Sequence, residues 1–561
     1  MSNDSGFWSV VEPFIEADAA RQVDSLADEV EAYFGGPRDL GSARKFLKER
    51  LPPGRIYVYG AGSHSEAIVH VLTGRRDLEI LGFVDQAAAR LGTFHGFEVL
   101  TPEALAGRDF DYVLISYNRM EMKLIDRLLD LGIPRDRIRP IYSDPDFIRQ
   151  ATDAEFAKIE RQLKGHRFDH VIVRSAIHEV IPDAALATVF PPDRTLVLHA
   201  GPAKPSPLSA HFWTIDVREC AALIASILRA LRPSIVFLST AQEYDLLYFA
   251  VRRAAPDSRL IHEIYDFFPF IPDDWIKLGI NASDRLIQLM RLSNYHSTRG
   301  SELVVSKRAG AAWDVVRASF ETPYQYVFPG IGSPEELAQL DCGDHVAADD
   351  RVRILYAGAL VPSHFHVYKR SDYNFLPMLE EMVARGRVAV DIYNSGHGYA
   401  VQDGSFQDYL DRYAAPPMTY HRRIPFENLV RLMTRHDYGW LCLAPRERRL
   451  ADQQVVICNR FSAYIYGGLP VIVDSEWDFI ADLVETFDAG LVIRDADPDR
   501  VLAAIASCDY AAKRAGVMRL RAHLWAHNEK VRRALIDFRD ERAPDFETAD
   551  DCLRRDSRSY K

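Results

Sequence analysis

The sequence lacks the features that mark membrane-spanning and secreted chains. It has 6 cysteines in 561 residues and no Cys-x-x-Cys pair, a spacing that predicts neither a disulfide framework nor a zinc knuckle and is typical of a reducing compartment. No apolar run reaches the roughly 18–20 residues of a membrane span. The opening MSNDSGFWSVVEPFIEADAA has no basic segment before an apolar one, so no signal peptide is predicted. We therefore expect a cytoplasmic protein.

An excess of basic residues is also absent. The chain has 68 Lys and Arg against 80 Asp and Glu, a formal net charge of −12. A general nucleic-acid-binding protein would show a basic surface, so we expect no nucleic-acid partner. A local basic pocket for an anionic ligand stays compatible with this balance. The length and a hydrophobic content of 48% predict a globular protein of several domains.

Alternating apolar runs and amphipathic helices predict an α/β protein with three successive parallel-sheet units. The helices at the N-terminus either pack on the next domain or mediate dimer contacts, and the oligomeric state is left open. The predicted segments are N-terminal helices (1–50), a Rossmann-like accessory domain (51–145), a linker helix (146–165), a second α/β domain (166–340), a linker (341–350), a third α/β domain with a terminal helix (351–540) and a polar tail (541–561).

Residues 57–72, YVYGAGSHSEAIVHVL, predict a strand, a glycine turn and a helix. Such a turn places backbone N–H groups and a helix N-terminus where a diphosphate can bind. Ser65 replaces the third glycine of Gly-x-Gly-x-x-Gly, and Asp85 ends the next strand at a position suited to a ribose hydroxyl.

Residues 55–145 resemble the small Rossmann-like domain of bacterial sugar acyltransferases and polysaccharide-biosynthesis dehydratases. Besides the glycine turn, LGFVD, HGFEVLTPEAL and DYVLISYNRMEMKLIDRLLDLGI carry the resemblance. It implies either an accessory site for NAD or a nucleotide-sugar, or the same shape without a ligand. The predicted lining of that site is Gly60, Gly62, Ser63, His64 and Asp85.

The segment 351–520 carries a second resemblance. Its runs VRILYAGAL, DIYNSGHG, NRFSAYIYGGLPVIVD and FDAGLVIRDADPDRVLAAI are similar, in this order, to the C-terminal domain of bacterial GT-B glycosyltransferases. The resemblance implies three Rossmann-like units, the last two forming a GT-B enzyme with a central cleft. It implies transfer of a sugar from a nucleotide-sugar donor to a glycan, lipid-linked or protein acceptor in surface polysaccharide or glycoconjugate biosynthesis. No metal or other cofactor is required, and peripheral membrane association stays open.

On the donor side, the resemblance implies that cations and a helix N-terminus bind the diphosphate. Asn459 is expected to cap the helix FSAYIY, with Arg460 beside it. His364 and His366 form a His-x-His without an evident third ligand, so no metal site is predicted. The loop HRRIPFEN is expected to face the base. The predicted donor-binding residues are Gly358, His366, Lys369, Arg370, Arg423, Phe426, Asp452, Gln453, Asn459, Arg460 and Ser462.

Two residues depart from the family pattern. Ala463 stands where the motif usually has a glutamate that binds the donor ribose, and Gly358 is followed by Ala359 instead of the usual arginine. These departures leave the identity of the donor open.

On the acceptor side, the strand RLIHEIYDFFPF ends near Asp266. A carboxylate there could act as a base in an inverting reaction or orient the acceptor in a retaining one. Asp266 and His262 are the predicted catalytic residues, with His199 and His178 as weaker alternatives. Because side chains alternate along a strand, only one of His262 and Glu263 can face a given side of the sheet.

Two other functions remain open. One is an NAD- or nucleotide-sugar-dependent oxidoreductase or epimerase acting through the N-terminal domain, although no Tyr-x-x-x-Lys pair follows the glycines. The other is a non-catalytic GT-B-like sugar-binding scaffold, which Ala463 in place of glutamate would suit.

Overall fold

The protein folds as an α/β structure with three parallel-dominated sheets. The chain divides into two compact units, the first being Met1–His178 with Phe190–Glu302 and the second Glu179–Val189 with Leu303–Lys561. The computed structural model describes residues 23–117, 121–175, 181–201, 211–280, 282–318, 320–330, 351–360, 375–386, 388–395, 406–442, 454–495 and 497–546.

The N-terminal part of the first unit alternates strands with helices. Its strands are β1 (Gly54–Tyr59), β2 (Leu78–Val84), β3 (Thr93–Phe94), β4 (Phe97–Leu100), β5 (Tyr112–Ile115) and β6 (Ile138–Arg139). Its helices are α1 (Val23–Phe34), α2 (Leu40–Glu49), α3 (Ser63–Thr73), α4 (Ala88–Leu91), α5 (Met122–Asp130) and α6 (Pro145–Leu163). The strands lie in the order β3-β4-β2-β1-β5-β6, and all pairs are parallel except the β3–β4 hairpin. Strand β5 is buried throughout, as in a parallel sheet covered on both faces.

The second sheet begins after α6. The strands are β7 (His170–Arg174), β8 (Thr195–His199), β9 (Trp213–Asp216), β10 (Ile235–Thr240) and β11 (Arg259–Ile264). The helices are α7 (Asp183–Val189), which belongs to the second unit, and α8 (Ala221–Leu231), α9 (Leu247–Ala254), α10 (Asp273–Ile280) and α11 (Asp284–Gly300). In the first unit these strands are parallel and lie in the order β11-β10-β7-β8-β9.

The two N-terminal helices pack on different sheets. Helix α2 contacts α3 beside the first sheet, whereas α1 contacts α8 and α9 beside the second sheet. Leu26, Val30 and Phe34 of α1 are fully buried in the core of the second sheet. At the rim of this contact, Arg253 of α9 forms ion pairs with Asp28 and Glu31. Packing therefore accounts for the buried faces of both helices.

The second unit contains the third sheet. After α7, the unit continues with β12 (Leu303–Ser306), α12 (Ala311–Arg317) and β13 (Tyr324–Tyr326). Strands β12 and β13 pair in parallel with each other and are not part of the third sheet. The later strands are β14 (Val352–Gly358), β15 (Val388–Asn394), β16 (Ala414–Ala415), β17 (Met418–His421), β18 (Tyr438–Trp440), β19 (Val471–Asp474) and β20 (Gly490–Ile493). The later helices are α13 (Leu376–Arg385), α14 (Gln407–Arg412), α15 (Phe426–Met433), α16 (Asn459–Tyr466), α17 (Asp478–Phe487), α18 (Pro498–Ser507) and α19 (Tyr510–Arg539).

The strands of the third sheet lie in the order β16-β17-β15-β14-β18-β19-β20. All neighbouring pairs are parallel except β16 and β17. The carboxyl ends of β14, β15 and β17 therefore meet at one edge, where ligands of open α/β sheets bind. None of the described helices is long and apolar enough to cross a membrane.

Candidate functional site

The carboxyl end of β14 brings together Gly358 and Arg460, two of the predicted donor-binding residues. The guanidinium carbon of Arg460 lies 4.6 Å from the centre of the Tyr356 ring. A Cβ atom at Gly358 would lie only 3.1 Å from Nε of Arg460, so glycine leaves room for the guanidinium. Burial raises the pKa of Tyr356 and the charge of Arg460 opposes that rise. The sheet edge thus presents a cation that is fixed by stacking on an aromatic ring.

Helix α16 carries Arg460 in its first turn, but its cap differs from the prediction. The N-cap residue is Cys458, whose Sγ accepts a hydrogen bond from the Phe461 N–H at 3.4 Å. The expected cap, Asn459, is the first helical residue and is exposed. The prediction that Asn459 caps the helix is therefore wrong. The helix still begins beside the sheet edge, with its first N–H groups at the same end as Arg460.

Tyr464 fixes α16 to the sheet. Its hydroxyl oxygen accepts a hydrogen bond from the Ala357 N–H at 2.8 Å and lies 3.2 Å from the Leu355 carbonyl oxygen. A Cβ atom at Gly439 would lie 2.5 Å from the Tyr464 ring, so glycine on β18 allows the ring to lie on that strand. Sequence reasoning missed this role, although the residue directly follows Ala463 in the recognised motif. The anchor positions the start of α16 relative to β14.

Asn394 organises the neighbouring strand end. It is fully buried, pairs in register with Gly358 and donates a hydrogen bond to the Tyr420 hydroxyl at 2.8 Å. Its side-chain oxygen accepts a hydrogen bond from the Leu360 N–H, also at 2.8 Å. This residue, in the quoted run DIYNSG, was not among the predicted site residues. It fixes the chain as it leaves β14 toward the predicted donor loop.

The other predicted donor-binding residues differ in burial, and several lie outside the described residues. Ser462 is buried and its Oγ has no hydrogen-bond partner among the described residues. Arg423 is exposed, and Phe426 is 40% exposed. Several predicted residues lie outside the described residues: His364, His366, Lys369, Arg370, Asp452 and Gln453.

A histidine–carboxylate cluster lies on one face of the third sheet. Nε2 of His421, at the end of β17, lies 2.7 Å from Oδ1 of Asp391, and Nε2 of His436 lies 3.1 Å from Oδ2. The His421 ring stacks on Tyr393 with centres 4.3 Å apart. Burial alone would raise the pKa of Asp391, but the hydrogen bonds and charges of both histidines lower it well below 3.8. The carboxylate is therefore ionised at neutral pH.

The lowered pKa of Asp391 predicts an acid-sensitive contribution to stability. A carboxylate whose pKa is lower in the folded chain stabilises the fold above its unfolded pKa, here near 3.8, and that contribution is lost as the pH falls further. We expect the unfolding free energy of the Asp391→Asn variant to fall less steeply below pH 4 than that of the unsubstituted chain. Urea unfolding at several pH values measures both slopes. Equal slopes would contradict the assignment.

His262, one of the predicted catalytic residues, and its neighbour Glu263 lie on opposite faces of the second sheet. His262 is fully buried, its ring stacks on Tyr248 at 5.9 Å, and neither ring nitrogen has a partner among the described residues. Burial lowers the pKa of His262 to about 3, so the ring is neutral at physiological pH. This environment favours a packing role. A catalytic role for His262 stays a prediction.

Glu263 points to the opposite face, where a row of polar residues crosses the sheet. The Ser239 hydroxyl donates to Glu263 at 2.7 Å. Register places five residues side by side near the carboxyl ends of the parallel strands. They are Glu263, Ser239, Arg174, His199 and Asp216. The weaker candidate His199 thus falls in the same row as Glu263, whereas His178 lies outside the described residues.

Asp266 lies half-buried two residues after the end of β11. The following backbone is fixed, because the Phe268 N–H donates to Oδ1 of Asn294 at 2.8 Å. Asn294 in turn donates to Asp245 at 3.3 Å, and the Thr240 hydroxyl donates to the same carboxylate at 2.8 Å. These buried contacts give the Asp266 loop a defined position. Its catalytic role stays a prediction.

At the glycine turn of the first sheet, two of the predicted ligand-binding residues form hydrogen bonds with other protein groups. The imidazole of His64 is buried, with Nδ1 2.9 Å from Oγ of Ser116 and Nε2 2.9 Å from the Tyr142 hydroxyl, and burial lowers its pKa to about 4. The Asp85 carboxylate accepts a hydrogen bond from the Ala61 N–H at 3.0 Å.

The glycines of the turn differ in their surroundings. Gly60 has a φ of 109°, and a Cβ there would lie 2.5 Å from the Ser116 carbonyl oxygen. Gly62 and Ser63 are exposed at the start of α3. Two predicted ligand contacts, His64 and Asp85, therefore bond to the protein itself, an arrangement that favours a structural role for this turn.

No group of three or more His, Cys, Asp or Glu side chains in the described part of the chain is arranged to hold a metal ion.

Comparison with known proteins gives one family match and several solved structures that match at low identity. Residues 53–139 match the family described as C2185-like, N-terminal. No curated protein matches the chain. The Anabaena protein Alr3699/HepE, solved in complex with UDP-glucose, is 12% identical, with 66% of this chain and 99% of that chain covered and a TM-score of 0.44.

Two further solved structures are similar at the same level. The α,α-trehalose 6-phosphate synthase of Burkholderia multivorans is 12% identical over 67% of this chain and 98% of that chain, with a TM-score of 0.42. A Thermobaculum terrenum O-GlcNAc transferase is 13% identical over 69% of this chain and 74% of that chain, with a TM-score of 0.40.

Proposed function

We propose that the protein is a GT-B glycosyltransferase that uses a nucleotide-sugar donor. The observation that carries the proposal is the placement of Arg460 over the Tyr356 ring and against Gly358, in the first turn of α16. The sequence resemblance assigns Arg460 and the start of this helix to the donor diphosphate, and the observed contacts of Arg460 support that proposal. A guanidinium there can bind a diphosphate with two parallel hydrogen bonds.

The proposed chemistry is departure of a nucleoside diphosphate from the anomeric carbon. Negative charge grows on the diphosphate as the glycosidic bond breaks, and groups fixed in advance stabilise that charge most effectively. Arg460 and the first N–H groups of α16 supply fixed positive charge without a metal ion. Lys369 and Arg370 remain predicted additional cations.

The acceptor side of the proposal depends on the second sheet. Asp266 remains the proposed base or acceptor-orienting group. We propose a glycan, lipid-linked or protein acceptor in surface polysaccharide or glycoconjugate biosynthesis, in the cytoplasm. Peripheral membrane association is compatible with a lipid-linked acceptor.

The experiment is a donor panel with the full-length chain. UDP-sugars and GDP-sugars are incubated with the protein, and release of nucleoside diphosphate is measured with and without EDTA. We expect at least one donor to be turned over at the same rate in EDTA, because the charge at the site comes from the protein. Loss of turnover in EDTA would contradict the metal-independent mechanism.

A thermal-shift series with the same ligands separates the alternatives, because a ligand that binds the folded chain raises its unfolding midpoint. Stabilisation by NAD and by no nucleotide-sugar would favour the oxidoreductase alternative. Stabilisation by a nucleotide-sugar without turnover would favour a sugar-binding scaffold.

A further inference from the structure

The buried carboxylate of Asp245 fixes the orientation of the Asn294 side chain, which is itself fully buried. Nδ2 of Asn294 donates to Oδ2 of Asp245 at 3.3 Å, and Oδ1 of Asn294 accepts a hydrogen bond from the Phe268 N–H at 2.8 Å. An ionised carboxylate only accepts and a backbone N–H only donates. The two partners therefore require a donor and an acceptor on one side chain, and only one orientation of the Asn294 amide meets both requirements.

The same carboxylate is connected to the end of β10. Its Oδ1 accepts a hydrogen bond from the Thr240 hydroxyl at 2.8 Å. Thr240 is the last residue of β10 and lies in register with Ile264, the last residue of β11. Asp245 is therefore linked through Thr240 to the point where β11 ends, and through Asn294 to the Phe268 N–H.

These contacts leave a short span of chain between two fixed points. Residues 265–267 connect Ile264, which is held by strand pairing, to Phe268, which is held by Asn294. Asp266 is the middle residue of this span. Because each residue has only two soft backbone dihedrals, so short a span has few conformations once both ends are fixed. The position of the Asp266 carboxylate therefore depends on the bond that Asn294 makes.

We propose that Asn294 is a positioning residue for the Asp266 carboxylate in the transfer reaction. The proposal rests on the proposed function and on the role proposed there for Asp266. A base or acceptor-orienting group must lie within hydrogen-bond reach of the acceptor hydroxyl, and a displacement of about 1 Å can lower the rate roughly 100-fold. Asn294 acts through Asp266 and does not contact the donor, so its loss lowers kcat and leaves the KM for the donor unchanged.

The test is a double-mutant cycle with the full-length chain. It measures release of nucleoside diphosphate from a UDP-sugar or GDP-sugar, with water as the acceptor. Asn294→Leu keeps a similar volume and removes both hydrogen bonds. We expect it to lower kcat about 10- to 100-fold, with the donor KM within about twofold of the unsubstituted value. In the Asp266→Asn background the same substitution should lower kcat by less than about twofold, because the group that Asn294 positions is already gone.

Equal factors in the two backgrounds would overturn the proposal, because a purely structural role acts whether or not the Asp266 carboxylate is present. If Asp266→Asn turns over the donor like the unsubstituted chain, this proposal and the role of Asp266 both fail, whereas the proposed function stands. Absence of turnover with every donor would overturn the proposed function as well.

Two further variants complete the experiment. Thr240→Val removes the hydroxyl bond to Asp245 and keeps the shape of the side chain, so it tests the same frame if Asn294→Leu does not fold. We expect kcat to fall about threefold to tenfold, and only where the Asp266 carboxylate is present. The matched control is Asn528→Leu, because Asn528 bonds in the same way to the Phe328 backbone of the second unit. Its effect on kcat should be the same factor in both backgrounds.

Discussion

Replacing Arg460 by alanine is expected to lower kcat for donor turnover roughly 100- to 1000-fold, the loss typical when one preorganised charge-stabilising donor is removed. The physical reason is the position of the guanidinium, which is fixed on the Tyr356 ring at the start of α16 before the substrate binds. The charge on the diphosphate increases during bond cleavage. The loss should therefore be larger in kcat than in the affinity for the donor.

Two further variants separate charge from fold. Arg385→Ala in the same unit removes an exposed arginine that pairs with Glu381 and Asp499, and it should leave turnover unchanged. Arg460→Lys keeps the charge but not the planar group that stacks and binds two oxygens, so we expect intermediate activity. Turnover of Arg460→Ala equal to that of Arg385→Ala would show that the donor diphosphate binds elsewhere.

The sequence predicted the elements around this site better than their details. The strand VRILYAG and the helix FSAYIY are observed, and within LPVIVD the observed strand is Val471–Asp474. The cap was predicted wrongly because asparagine is a much commoner N-cap residue than cysteine. In the structure, Cys458 has the extended backbone of a cap, with φ −76° and ψ 144°, and its sulfur accepts the N–H bond.

Contacts between distant strands could not be read from the sequence. Asp391 and His436 are 45 residues apart and meet only because α15 returns the chain to the face of β15. Alternation along β11 indicated that His262 and Glu263 face opposite sides, but not which side is apolar. That depends on Tyr248 of α9, which packs on the His262 ring.

Phe34→Ala is expected to lower the unfolding free energy of the first unit by about 3–5 kcal/mol, the usual cost of removing a buried phenylalanine side chain. Phe34 is fully buried, and its ring lies 5.7 Å from Tyr244 and 5.8 Å from Tyr33. Tyr244 belongs to the segment that connects β10 to α9. The cavity would therefore open in the core of the second sheet, although Phe34 precedes the first sheet in the chain. Urea unfolding followed by tryptophan fluorescence measures the change.

Leu40→Ala is the matched control, because Leu40 begins the next helix and is 38% exposed. We expect a change within about 0.5 kcal/mol, as for most surface substitutions. A chain of two compact units can unfold in more than one step. The unfolding free energies of the two variants are therefore compared for the transition that Phe34→Ala shifts. If both variants unfold like the unsubstituted chain, α1 adds nothing to the second sheet. A loss confined to Phe34→Ala would show that α1 stabilises the sheet that carries Glu263.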